Sequence, residues 1–289
     1  MRPGDRMVFA VFGGLGNQMF QYAAGLYAER LWNIPVEFHF FETASGQPPS
    51  SRPLMLNEFE IKKKIQILGR IRRALYYGDR LHAAIPWLQG CLGVSIIRES
   101  TPHSVDSILF SKPKGRSLYY GYWQARSYLE SVGETLREEF RLRRRLSTDA
   151  EMLVERIGTE AFPVAVHVRR GDYLGIRGGS QVLPGKYYRD AMSAFREKSG
   201  KVRFFVFSDD PDWVNSNELF KEEDVVIYRG NQRFAHEELV LMSSCKHHVI
   251  ANSTFSWWGA WLNKEPKKEI VMPPYWSPGE RVPKELELG

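Results

Sequence analysis

The order of apolar and polar positions separates a regular second half of the chain from a less regular first half. From residue 163 onward, short β-branched or aromatic runs alternate with stretches of helical spacing. Pro163–Val168, Val202–Phe207, Asp224–Tyr228, His247–Ala251 and Glu269–Met272 read as strands. Lys186–Lys198, Trp213–Phe220, Ala235–Ser243 and Thr254–Leu262 read as the intervening helices. This alternation predicts an α/β domain: a parallel sheet with helices on both faces, doubly wound through right-handed crossovers like a Rossmann domain. In the first half, Met7–Phe12 reads as a strand, Gly13–Gly16 as a turn, Gln18–Leu31 as a helix and Pro35–Phe41 as a second strand. Residues from about 45 to 120 are irregular apart from a basic helical pattern over Ile61–Ala84, and Gln124–Leu146 predicts one long helix.

A length of 289 residues suits two domains. The expected division is 1–150, carrying the irregular insertion 45–120, and 151–289. The composition, 43% hydrophobic and 26% charged, is that of an ordinary globular protein. Cys91 and Cys245 are far apart and form no paired motif, which speaks against a zinc site or a disulfide framework and suits a reducing cytoplasm. No run approaches the ~18–20 apolar residues that span a bilayer, so the chain is expected in the cytoplasm. The net charge of +6 is concentrated in Lys62–Lys64 with Arg70, Arg72 and Arg73, and in Arg141 with Arg143–Arg145. Two readings stay open for these clusters: solvated helix faces, or peripheral attraction to an anionic membrane or substrate. They match no nucleic-acid-binding motif, and nucleic acid is not an expected partner.

The chemistry-bearing residues lie where the apolar runs end, which in such sheets is where ligands bind. Gly13–Tyr22 (GGLGNQMFQY) joins a strand to a helix, and its glycines and free N–H groups suit an anion. Asn17 and Gln18 would add amides there. The motif lacks a Walker lysine, so nucleotide hydrolysis is not supported. His167–Tyr173 (HVRRGDY) follows the next strand. One of Arg169 and Arg170 can meet phosphate oxygens while the other pairs internally, with Asp172 as a partner. Phe204–Pro211 (FFVFSDDP) ends in Asp209 and Asp210. Asp210 with Asp212 has the D-x-D spacing of metal-dependent sugar transferases, but the following Pro211 favours Asp210 as a helix cap that also contacts a ligand. Ala251–Leu262 (ANSTFSWWGAWL) places Ser253, Thr254 and Ser256 at a helix start, where hydroxyls cap the helix and can receive phosphate. Trp257, Trp258 and Trp261 read mainly as core, and Gly259 as a point of close packing on the sheet.

Taken in order, these four motifs resemble the family 11 glycosyltransferases, the α-1,2-fucosyltransferases, and the HVRRGD element also resembles the α-1,6- and protein O-fucosyltransferases. The resemblance runs from residue 13 to 263 and is weak over 45–120. It implies a GT-B fold of two Rossmann-like domains facing a cleft. It also implies inverting, metal-independent transfer of fucose from GDP-fucose to the 2-hydroxyl of a galactose, in a free oligosaccharide or a lipid-linked glycan. Arg169 matches the arginine at the donor β-phosphate, His167 and Asp210 the guanosine side, and Thr254, Phe255 and Ser256 the phosphate loop. Gly14, Gly16 and Asn17 match a loop that closes over the donor. Asp172 is a candidate base, weakened if it is tied to the arginines. No cofactor or metal is implied.

Overall fold

The computed structural model describes residues 5–41, 52–68, 94–100, 113, 115–175, 177–228 and 234–288. The chain forms two compact units, Met1–Arg143 and Arg144–Gly289. Each is built on a five-stranded sheet in which every pairing is parallel. Among the described residues no helix is long and apolar enough to cross a membrane.

In the first unit, strands β1 (Arg6–Val11), β2 (Val36–Phe41), β3 (Ile65–Leu68), β4 (Val94–Arg98) and β5 (Arg116–Tyr120) lie in the order β3-β2-β1-β5-β4. Helix α1 (Leu15–Trp32) follows β1. Strand β1 is central and buried, so its alternation is masked by apolar residues on both faces. Phe9 stacks on Tyr119 at 4.6 Å, with Trp123 edge-on to both. On α1, Tyr22 packs on Phe38 at 4.7 Å and its hydroxyl donates to buried Glu139.

Three expectations fail in this unit. Residues 45–120 are not simply irregular, since β3, β4 and β5 supply three of the five strands. The helix expected over Gln124–Leu146 is confined to a 3-10 turn, Arg126–Tyr128, and α2, Leu129–Glu139. Beyond it the chain pairs elsewhere: Glu60 N–H donates to Arg141 O at 2.8 Å and Arg143 N–H to Glu58 O at 2.9 Å. The basic pattern over Ile61–Ala84 begins with a turn and β3 rather than a helix. Its remainder, with Arg70, Arg72 and Arg73, lies outside the described residues, as do Cys91 and most of 45–120.

In the second unit, α3 (Thr148–Thr159) precedes β6 (Phe162–Val168), α4 (Gly185–Lys198), β7 (Val202–Ser208), α5 (Pro211–Ser216), β8 (Val225–Ile227), α6 (Ala235–Ser244), β9 (His247–Val249), α7 (Thr254–Leu262) and β10 (Ile270–Val271). The order is β10-β9-β6-β7-β8. Val164, Val166 and Val168 point to one face and pack with Tyr188, Met192 and Phe195 of α4. His167 points to the other face, where its ring lies 5.6 Å from Phe255 of α7. Trp257 and Trp258 are fully buried. Gly259 is a close-packing point, but against a helix rather than the sheet: an added Cβ would lie 3.1 Å from Met242 of α6. The segment Trp213–Phe220 splits into α5 and a 3-10 turn, Glu218–Phe220.

Candidate active site

Strand order reverses at one place in the second sheet: β7 and β8 lie on one side of β6, β9 and β10 on the other. At such a switch point the loops leaving adjacent strands diverge and open a crevice beyond the carboxyl ends. The loop after β6 supplies Arg169–Asp172, the loop after β9 and the first turn of α7 supply Asn252–Ser256, and the turn after β7 supplies Asp209 and Asp210.

Arg169 is gripped by two carboxylates, Asp172 at 2.8 Å and Asp209 at 2.9 Å. Burial works against its charge, but Asp209 and Asp172 outweigh burial and raise its pKa. Asp209 also accepts from the backbone N–H of Arg170 at 2.8 Å and of Gly171 at 3.1 Å. A side chain at 171 would crowd this contact, since its Cβ would sit 2.8 Å from Asp209 Oδ2. Arg170 turns to Asp210, 3.0 Å away, and lies 4.1 Å over the ring of Trp213. Asp210 meanwhile caps α5 by accepting from Trp213 N–H at 3.1 Å. Both arginines are therefore held by acids before any ligand arrives. Among the described residues, no three His, Cys, Asp or Glu side chains converge as cation ligands would.

His167 is 2% exposed, and burial, with the charge of Arg169, holds its pKa down to about 3. The ring is thus neutral at physiological pH, and its Nδ1 has no hydrogen-bond partner among the described residues. At the start of α7, Ser253 caps the helix by accepting from Phe255 N–H at 3.3 Å, and Thr254 opens the first turn. Ser256 is buried, with its hydroxyl turned back to Ala251 O and Ser253 O.

The remaining candidates, Gly14, Gly16 and Asn17, belong to the first unit at the start of α1. Gly13 there adopts φ +78°, and Asn17 Oδ1 accepts from Gln124 Nε2 at 2.9 Å. Gln18, expected to offer its amide to a ligand, instead fastens the fold. It is fully buried, donates to Gly13 O at 2.9 Å and Pro53 O at 2.8 Å, and accepts from Met55 N–H at 3.0 Å. Part of the basic surface is likewise structural. Lys63 pairs with Glu29 at 2.6 Å, and Arg143 donates to the carbonyls of Phe59 and Ile61.

The sequence pattern of glycosyl transferase family 11 matches residues 102–285. The chain belongs to that family. An alpha-1,2-colitosyltransferase of Escherichia coli is 34% identical over 96% of this chain and 94% of its own length. Galactoside alpha-(1,2)-fucosyltransferase 1 of Aotus azarae is 31% identical over 47% of this chain and 40% of its own. The crystal structure of NodZ alpha-1,6-fucosyltransferase soaked with GDP-fucose shares the fold. The TM-score is 0.52 at 13% identity, covering 90% of this chain and 92% of that one.

One polar group of this family 11 glycosyltransferase is marked by no motif, and a second lies inside the Ala251–Leu262 motif with no role assigned to it there. Glu238, on α6, faces the arginine cluster. Burial first, and then the charge of Asp209, lift its pKa to about 8, with Arg169 opposing. Its carboxyl therefore holds a proton at neutral pH and can donate a hydrogen bond. In the sequence, Glu237 and Glu238 are two acids in the first turn of a helix, where dipole stabilisation explains them both. Glu237 does have a structural task, accepting from Ser147 N–H at 2.7 Å and its hydroxyl at 2.8 Å. The second group is Asn252, whose Nδ2 donates to Gln181 O and Trp276 O while its buried Oδ1 has no partner among the described residues.

Proposed function

We propose that this glycosyltransferase moves L-fucose from GDP-fucose to the 2-hydroxyl of a galactose, with inversion at the anomeric carbon and without a metal ion. The observation that carries the reading is the Arg169–Asp172–Asp209 cluster at the switch point of the second sheet. A leaving nucleoside diphosphate gains negative charge as the sugar–oxygen bond breaks. A cation already oriented by two carboxylates meets that charge with little reorganisation. Arg169 would exchange part of its carboxylate contact for the β-phosphate, while N–H groups at the start of α7 face the same anion. His167, neutral, Asp210 and the half-buried Phe255 would take the nucleoside side of the donor.

Asp172 is spent on Arg169, which weakens it as a base for the acceptor hydroxyl. A loose, oxocarbenium-like transition state needs little base assistance, so the reading does not require one. The 1,2 linkage is supported by the alpha-1,2 activities of both relatives. The colitosyltransferase relative favours a second reading, in which the linkage is kept and the transferred sugar is colitose.

Incubation with GDP-fucose and lactose in EDTA, followed by linkage analysis, tests the proposal. An α-1,2-fucosylated product is expected. No product without added divalent cation would defeat the metal-free reading, and transfer only from a colitosyl donor would establish the second one.

A further inference from the structure

The first sheet has its own switch point, between β1 and β5, because β2 and β3 lie on one side of β1 and β5 and β4 on the other. What stands at the carboxyl ends there differs in kind from the second unit. Phe12, just after β1, stacks on Tyr120, the last residue of β5, at 4.8 Å and packs against Tyr122 at 5.2 Å. Tyr122 is 39% exposed, whereas its neighbours Gly121 and Trp123 are buried.

The turn that presents Tyr122 is firmly built. Trp123 is held at φ 54°, a left-handed conformation that a large side chain seldom adopts. Glu99 fixes it by accepting from the N–H groups of Tyr122 at 2.8 Å and Trp123 at 3.0 Å. Gly121 leaves room for that carboxylate, since a Cβ would lie 2.9 Å from Glu99 Oε2. Gln21 ties both walls together, accepting from Phe12 N–H at 2.9 Å and donating to Gly121 O at 3.1 Å. Backbone strain of this kind persists only where the surroundings over-determine it, and it collects at ligand sites.

A second observation points to a ligand. Gln124 is 6% exposed, and its Nε2 is committed to Asn17, but its Oε1 has no hydrogen-bond partner among the described residues. Asn17 and the Tyr122 ring meet beside Gly13, whose Cβ, if present, would lie 3.2 Å from Asn17 Nδ2 and 3.7 Å from the ring. Aromatic faces with convergent amides suit a neutral polyol that has one apolar face: the rings take the C–H groups and the amides take hydroxyls. Among the described residues, the paired arginines and the hydroxylated helix cap that suit a phosphate lie in the second unit.

We propose that Phe12, Tyr120 and Tyr122 form the platform for the acceptor sugar. The apolar face of a galactopyranoside lies on Tyr122, and one of its hydroxyls donates to Gln124 Oε1. The identity of the sugar rests on the function proposed above; the platform itself does not.

The test compares wild type with Tyr122→Ala and Tyr122→Phe. For Tyr122→Ala, KM for lactose should rise on the order of tenfold through loss of the aromatic contact, with KM for GDP-fucose and the melting temperature unchanged. Tyr122→Phe should stay close to wild type, which separates a lost ring from a damaged fold. An unchanged lactose KM would overturn the platform. An equal rise in KM for GDP-fucose would also overturn it, by assigning the rings to the donor. Saturation-transfer NMR with methyl β-galactoside, cellobiose and GDP keeps the two claims apart. Should wild type transfer nothing to lactose, the function fails, yet saccharide contact abolished by Tyr122→Ala would still support the platform. Absence of any saccharide contact in wild type would refute it.

Discussion

Replacing Glu238 by Gln removes a carboxyl that the fold keeps protonated. Its pKa stands at about 8 against an ordinary 4.5. A raised folded-state pKa means that the native chain binds the proton more tightly than the unfolded chain. The contribution to stability is then fully present below pH 4.5 and is lost as pH rises through 8. Each pH unit in that window costs about 1.4 kcal/mol, so at pH 7 wild type is disfavoured by roughly 3 kcal/mol relative to a side chain that needs no proton. Gln keeps the shape and the donor without that penalty. Urea unfolding at pH 5, 6, 7 and 8 should show Glu238→Gln gaining on wild type at each step, from near equality at pH 5 to a few kcal/mol at pH 8. Because the charge of Asp209 is the second cause of the shift, Asp209→Asn should reduce the gain. Parallel stability profiles for wild type and Glu238→Gln would refute the argument.

Other outcomes follow from the same geometry. Arg169→Ala should lower kcat on the order of 100–1000-fold, the usual cost of losing one preorganised charge-stabilising donor, while cooperative unfolding is retained; turnover near wild type would remove Arg169 from the mechanism. Gly171→Ala should push against Asp209 and weaken GDP binding in calorimetry, with a stability loss of about 1–3 kcal/mol; unchanged binding would show that the loop can yield. His167 and His248 are buried with pKa values lowered to about 3, His248 by burial, Lys268 and His247. The unfolded chain takes up their protons first, so stability falls as pH drops below 6.5. In the Glu238→Gln background, which removes the opposing slope, the loss at pH 5 should be about 2 kcal/mol per histidine; a flat profile from pH 7 to 5 would contradict their burial as neutral rings.

The second sheet is legible in the sequence because β6 and β7 are long runs rich in apolar residues, bounded by polar turns, and α4 between them keeps a helical period. Strands β3 and β4 are not, for a physical reason. β3 has four residues and lies at the sheet edge, with Ile67 61% exposed, so its pattern is neither a buried run nor a clean alternation. β4 is the opposite edge. The helix expected through residue 146 ends at Glu139 because Arg141 and Arg143 have better partners in the backbone of residues 58–60, about 80 positions away. Local propensity cannot register such competition.

The family, the parallel α/β architecture and the four motif-bearing strand ends were determined by the sequence alone, because they depend on short-range order: which residues follow which apolar run. Tertiary structure decided everything that depends on which ends become neighbours. It gave Arg169 to Asp209 as well as Asp172, turned Gln18 into a fastener, charged Glu238 with a proton, and set Phe12, Tyr120 and Tyr122 into one cluster. Strand order creates these encounters, and a parallel sheet chooses its order through burial and hydrogen bonding between distant segments. The chemistry of each residue is written in the chain, but the company it keeps is a property of the fold.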